Sequence, residues 1–170
     1  EINVGKSLVE DDMISEASEI LKMANEKNVE IILPVDVVCS EEYSNSSEFR
    51  VCNINEINNK EMALDIGPET TMIFEMIMDS SKSIIWNGPL GAFELSNFST
   101  GTHSIASCIS KLTMEKDVVS IIGGGDTASA VIFYNLEDTY THVSTGGGAS
   151  LQLLSGEMLK IISSWKKYER

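Results

Sequence analysis

Ile121-Ile122-Gly123-Gly124-Gly125-Asp126-Thr127-Ala128-Ser129-Ala130 is the stretch whose reading decides the fold. An apolar run from Val118 to Ile122 stops at three consecutive glycines, and Asp126 and Thr127 then open a helix-like segment. The pattern is a strand, a tight turn and a helix N-terminus. Glycine lets the backbone approach a ligand closely, and the free N–H groups of a first helical turn attract phosphate oxygens. Asp126 adds a carboxylate suited to Mg²⁺, an ion that binds through one or two carboxylates plus substrate phosphates. The same Asp126 also suits a plain N-cap, and Thr127 a plain helix start.

Working outward, three more stretches set glycine at the end of an apolar run. Trp86-Asn87-Gly88-Pro89-Leu90-Gly91-Ala92-Phe93-Glu94 follows Ser83-Ile84-Ile85, and Ser144-Thr145-Gly146-Gly147-Gly148-Ala149-Ser150-Leu151 follows Thr141-His142-Val143. Leu64-Asp65-Ile66-Gly67-Pro68 precedes another helical run. Strand–helix alternation of this kind predicts an α/β domain: a Rossmann-like parallel sheet with helices on both faces, three layers α/β/α. Loops at the carboxyl ends of parallel strands gather on one edge and form the ligand crevice. Several glycine-rich loops there point to a phosphate-bearing ligand.

The chain has 170 residues, 42% hydrophobic and 22% charged, which suits one soluble domain able to bury a core. Its net charge of −14 argues against nucleic acid or an anionic membrane as partner, since both need clustered Lys and Arg. An anionic nucleotide would be held by local amides and Mg²⁺. Cys39, Cys52 and Cys108 are scattered without metal-ligand spacing, so they read as reduced thiols. No apolar run approaches the ~20 residues of a membrane span. With no signal-peptide pattern at Glu1-Ile2-Asn3-Val4, the expected location is cytoplasmic.

Read in order, Gly5-Lys6-Ser7 resembles a P-loop tail without the glycine that motif needs five positions earlier, and is taken as a loop before a helix. Apolar spacing predicts that helix from Asp11 or Asp12 to about Lys27, capped by Asn28. Glu30 to Pro34 reads as a short buried strand, Val35 to Val38 as its extension, and Glu48 to Cys52 as a strand near an edge. Asp36 is expected to tie a loop. Helices are expected at Glu69 to Met78, Thr100 to Leu112 and Asp126 to Asn135, with strands at Lys82 to Trp86, Val118 to Ile122 and Thr141 to Ser144. Met72, Met76 and Met78 read as core filler, and His103 and His142 as structural. A helix is expected from Gly147 to about Ser155, then an amphipathic tail over residues 157–170 carrying Met158, Leu159, Ile161, Ile162 and Trp165.

Together these phrases resemble phosphoglycerate kinases. Asn87 to Glu94, Gly123 to Thr127 and Ser144 to Leu151 look like that family's nucleotide-domain motifs, in its order. Gly5 to Asp12, Leu33-Pro34-Val35-Asp36 and Leu64 to Pro68 also match, so the resemblance runs over residues 1–156. It implies a cofactor, Mg²⁺ with ADP or ATP, and gives roles by position. Asp126 would contact the Mg²⁺, while Gly123, Gly124, Gly125 and Thr127 would line the phosphate path. Asn87, Gly88 and Pro89 would sit beside the nucleotide, Gly91 and Ala92 against the adenine, and Glu94 would accept from the ribose hydroxyls. Gly146, Gly147 and Gly148, with Gly125, would place amides near the phosphoryl group in flight.

The departures shape the expectation. The family's N-terminal domain, with its basic patch for 3-phosphoglycerate or 1,3-bisphosphoglycerate, has no equivalent here, nor has the Gly-Gly-Ala-Lys opening of the nucleotide domain. The sequence therefore looks like the later part of a nucleotide domain, inactive alone, from a kinase whose full-length forms are expected to be monomeric. Ala92 stands where valine is usual, Gln152 where glutamate is usual, and the tail lacks the usual Leu-Pro-Gly turn. The alternative is a non-catalytic nucleotide-binding module that pairs with a separate N-terminal half. A Rossmann oxidoreductase is disfavoured, because Gly123 to Ala128 does not follow Gly-x-Gly-x-x-Gly.

Overall fold

Residues 2–146 and residue 155 are described in the computed structural model. Helix α1 (Ile14–Glu26) comes first. Strands β1 (Asp36–Ser40), β2 (Phe49–Asn53) and β3 (Met62–Ile66) follow, and then α2 (Pro68–Asp79). The second half alternates: β4 (Ser83–Asn87), α3 (Thr100–Lys116), β5 (Val119–Gly123), α4 (Gly125–Phe133) and β6 (His142–Ser144).

That second half is the expected α/β unit. β4, β5 and β6 form a parallel sheet in that order, with β5 in the middle. The register sets Asn87 opposite Gly123 and Gly123 opposite Ser144, so three glycine-bearing loops leave the sheet side by side. Ile105, Ala106 and Ile109 of α3 and Val131 of α4 close on Trp86 and Ile122 in one core cluster with Ile66 and Tyr140. On the alternate positions of the strands, Ile85 remains 49% exposed and Val119 46% exposed.

The first half departs from the expectation. β1 pairs antiparallel with both β2 and β3, giving a second sheet in the order β2-β1-β3. The cause is connection length. Only residues 41–48 separate β1 from β2, and adjacent parallel strands need a crossover of a dozen or more residues. Residues 54–61 then take the chain to the other side of β1, so β3 also pairs antiparallel with it. β1 is buried along its whole length, and β2 lies at an edge, as the alternation at Glu48 to Cys52 suggests. The expected strand at Glu30 to Pro34 does not form. The segment pairs with no other strand among the described residues, and Leu33 is 60% exposed.

Helix ends follow local chemistry. Asn28 takes φ +53° after α1, and the Val29 amide reaches the Ala24 carbonyl at 2.8 Å, the left-handed exit for which asparagine is suited. Pro68 starts α2, where its missing N–H costs nothing. α1 buries no residue among those described. Met78 packs on the core, but Met72 and Met76 do not act as filler: Met76 is 68% exposed. Gly5-Lys6-Ser7 is a turn tied to β3, with the Lys6 amide on the Glu61 carbonyl and the Ser7 hydroxyl accepting from the Ala63 amide. No helix among the described residues is long and apolar enough to cross a membrane.

Candidate functional site

Side chains from α3 and α4 fix the loop that leaves β4. The Thr127 hydroxyl, fully buried at the start of α4, accepts from the Gly88 amide at 2.6 Å. The Thr102 hydroxyl, fully buried in the first turn of α3, accepts from the Leu90 and Gly91 amides at 3.1 and 3.0 Å. The Ala92 amide donates to the Leu64 carbonyl at 2.8 Å, and the Trp86 indole to the Gly88 carbonyl at 2.7 Å. A loop with so many backbone partners is a rigid wall. Glycine is required at two points, one in the turn after β5 and one in this loop. Gly124 has φ +96°, where a Cβ would also come within 3.1 Å of Asn87 Oδ1. A Cβ on Gly91 would run into the Asp65 carboxylate and lie 2.6 Å from the Phe98 carbonyl.

This wall borders a groove of about 690 Å³. Pro89, Gly91, Ala92, Glu94 and Asp126 all line it, together with Tyr43, Leu64 and Asp65. Asn87, Gly88, Gly124 and Thr127 form a second, adjoining group at the glycine turn. Gly123 ends β5 and Gly125 opens α4, with open space where a Cβ would stand. Asp126 is exposed in the first turn of α4. Gly146 is exposed just past β6. Gly147 and Gly148 lie outside the described residues, as do the helix expected from Gly147 and the tail over residues 157–170.

Two buried carboxylates brace this region: Asp65 lines the groove, and Asp36, expected from sequence to tie a loop, sits outside it. Asp36 is that tie: it accepts from the Glu69 amide at 3.0 Å, the Thr70 amide at 2.7 Å and the Thr70 hydroxyl at 2.6 Å, capping α2. Burial alone would raise its pKa, but these donors outweigh it and hold the carboxyl below its ordinary value. Asp65 reaches the start of α3, accepting from the Gly101 amide at 2.7 Å and from its neighbour Ile66 at 2.9 Å. Here burial wins over the amides and pushes the carboxyl up to about 6. Farther away, the Cys39 and Cys52 sulfurs lie 3.7 Å apart as buried thiols, and burial followed by the Cys52 contact pushes Cys39 up to about 12. His103 stacks edge-on against Tyr134, a structural role.

Sequence reasoning missed Thr102 and Tyr43. The Thr102 hydroxyl lies 12 and 11 positions from the Leu90 and Gly91 amides it holds, outside the glycine-rich stretch itself. Tyr43, in the loop after β1, donates its hydroxyl to the Glu94 carboxylate, and this bond raises the phenol pKa. Nothing local in Glu42-Tyr43-Ser44 announces a partner 51 positions on.

Among the described residues, no three His, Cys, Asp or Glu side chains gather as a metal cluster. One exposed carboxylate, Asp126, beside the open space at Gly125 fits an ion that keeps most of its ligands from phosphates and water.

The fold defines an α/β domain with a parallel sheet whose strands β4 and β5 run out into glycine turns. The chain belongs to the phosphoglycerate kinase family, whose model matches residues 1–157. It is 46% identical over 157 residues to a phosphoglycerate kinase of Fusobacterium nucleatum, covering 92% of this chain and 38% of that protein. A phosphoglycerate kinase of Thermosipho africanus is 46% identical over 163 residues, with 95% and 40% covered. The solved phosphoglycerate kinase of Coxiella burnetii superposes with a TM-score of 0.87 at 39% identity, covering 92% of this chain and 40% of that one. The Pyrococcus horikoshii enzyme gives 0.75 at 28% identity, over 91% and 36%. The chain thus spans 36% to 40% of the length of these relatives.

Proposed function

We propose that this chain is the nucleotide-binding part of a cytoplasmic, glycolytic phosphoglycerate kinase, holding MgADP or MgATP in the groove beside β4 and β5. The observation that carries the reading is the convergence of Pro89, Gly91, Ala92, Glu94 and Asp126 on one groove, in a chain of this family. Adenine would lie against Gly91 and Ala92, and the ribose hydroxyls would donate to Glu94. The phosphates would run toward the amides at Gly123, Gly124 and Gly125. Asp126 would hold the Mg²⁺, which neutralises phosphate charge when bound.

Phosphoryl transfer asks a protein for position and charge stabilisation rather than covalent chemistry. In the whole kinase these residues would present MgADP to the acyl phosphate of 1,3-bisphosphoglycerate, giving 3-phosphoglycerate and MgATP. No described residue supplies a basic patch for the phosphoglycerate, so the chain alone binds nucleotide without turnover. Isothermal titration with MgADP, run beside a coupled kinase assay, tests both statements. Binding without turnover is expected; turnover by the purified chain would refute the inactivity, and absent binding would refute the nucleotide reading.

A second reading is a module that pairs with a separate N-terminal half. It is favoured by the free edge of β4, which pairs only with β5 among the described residues and leaves Ile85 exposed. Co-expression with the N-terminal remainder of the Fusobacterium nucleatum relative tests it. Restored turnover is the expected result if the halves pair.

A further inference from the structure

The loop between β1 and β2 reaches across to the segment that carries Glu94. Asn45 Oδ1 accepts from the Ser96 hydroxyl at 3.1 Å and the Asn97 amide at 3.3 Å, and the Asn97 side-chain amide donates to the Asn45 carbonyl at 2.9 Å. The loop is itself braced, with the Ser40 hydroxyl on the Glu48 carbonyl at 2.8 Å and the Ser47 hydroxyl on the Ser44 carbonyl at 2.7 Å. From this braced loop Tyr43 donates to Glu94 Oε1, and the Tyr43 ring lines the same groove as Gly91 and Ala92. No described residue donates to Glu94 Oε2. A carboxylate with one oxygen held by protein and one open to the groove is set up to accept from a ligand hydroxyl.

We propose that Tyr43 is a positioning residue for the ribose of a bound nucleoside diphosphate, acting through Glu94. An exposed glutamate is free to rotate, and ordering it on binding costs affinity. Tyr43 fixes Glu94 before the ligand arrives, so that the ribose hydroxyls meet an oriented acceptor. The ring adds an apolar wall opposite the Gly91 and Ala92 backbone. The proposal rests on the nucleotide reading given above, and only the interaction with the ribose hydroxyls depends on the Tyr43 hydroxyl.

Tyr43→Phe keeps the ring and removes the bond. MgADP and magnesium 2′,3′-dideoxy-ADP are titrated against the wild-type 170-residue chain and against Tyr43→Phe, with the melting temperature as the fold control. Tyr43→Phe should weaken MgADP about three- to tenfold, the cost of ordering one rotamer-rich side chain, and change the dideoxy analogue less than about twofold. Equal loss for both nucleotides, or no loss for either, overturns the proposal while leaving the nucleotide reading intact. A wild-type chain that binds neither overturns both. A ligand-free readout is the titration of ¹³Cζ-labelled tyrosine: Glu94→Gln should bring the Tyr43 phenol down toward its ordinary value. An unchanged Tyr43 titration would show that the bond does not hold in solution and would also overturn the proposal.

Discussion

Thr102 is the clearest single point at which the fold holds the site. Its side chain is fully buried, and its hydroxyl is the acceptor for two consecutive loop amides, Leu90 at 3.1 Å and Gly91 at 3.0 Å. Thr102→Val keeps the shape and removes the acceptor. A buried N–H left without a partner costs about 1–3 kcal/mol, and two donors sharing one oxygen put the loss at about 2–4 kcal/mol. For a chain of this size that lowers the melting temperature by about 5–15 °C. Thr102→Ser keeps the hydroxyl and loses one methyl, about 1 kcal/mol. Urea titration of both variants, with amide exchange followed at Leu90 and Gly91, separates the two effects. Faster exchange at those amides and weaker MgADP binding should accompany Thr102→Val only. If Thr102→Val is as stable as Thr102→Ser, with Leu90 and Gly91 exchanging at wild-type rates, the anchoring argument is wrong.

Three further predictions concern the same framework. Asp65 has its carboxyl raised from 3.8 to about 6, so the native state binds that proton more tightly than the unfolded chain. Its contribution is full below about pH 4 and is lost as pH rises to about 6, on the order of 3 kcal/mol. Urea midpoints at about pH 4 and about pH 7 should show this slope in the wild type and lose it in Asp65→Asn; an unchanged slope assigns it elsewhere. Glu61 works with the opposite sign. Arg50 donates to it at 2.7 and 2.8 Å and brings its pKa from 4.5 to about 2, so its contribution is present above about pH 4.5 and fades as pH falls toward 2. Glu61→Gln should flatten that acid limb in an acid-denaturation curve. Gly124→Ala should cost about 1–3 kcal/mol in urea unfolding, since φ is +96° and Asn87 stands close. Gly125→Ala meets open space and should leave stability within about 0.5 kcal/mol while weakening MgADP, because its Cβ would intrude on the phosphate path. Equal stability losses for the two glycines would contradict that distinction.

The parallel half was legible because its signals are local. Val118 to Ile122 running into Gly123-Gly124-Gly125 predicts a strand, a turn and a helix within ten residues, and β5 and α4 form there. The antiparallel sheet was not legible in the same way. The sequence marks Val35 to Val38 and Glu48 to Cys52 as extended, but only the shortness of residues 41–48 carries a pairing direction, and nothing local sets β3 on the other side of β1. Glu30 to Pro34 has the composition of a buried strand, and composition cannot supply a hydrogen-bonding neighbour. Met72 and Met76 look like core by residue type yet face outward on α2, since α2 offers only part of its surface to the core around Ile105 and Ile109. At the site, glycines and Asp126 announce themselves by type and spacing. Only the fold brings Asp65 and Tyr43 to the groove and sets Thr102 behind its wall.

The measurement that tests the central claim most directly is a two-dimensional amide NMR spectrum of the ¹⁵N-labelled chain, recorded without and then with MgADP. A nucleotide held beside β4 and β5 predicts a dispersed spectrum in which Gly88, Gly91, Ala92, Glu94 and Gly123 to Thr127 shift while the β1–β2 pairing face stays in place. A dispersed spectrum that ignores MgADP, or shifts that cluster away from these loops, would contradict the account.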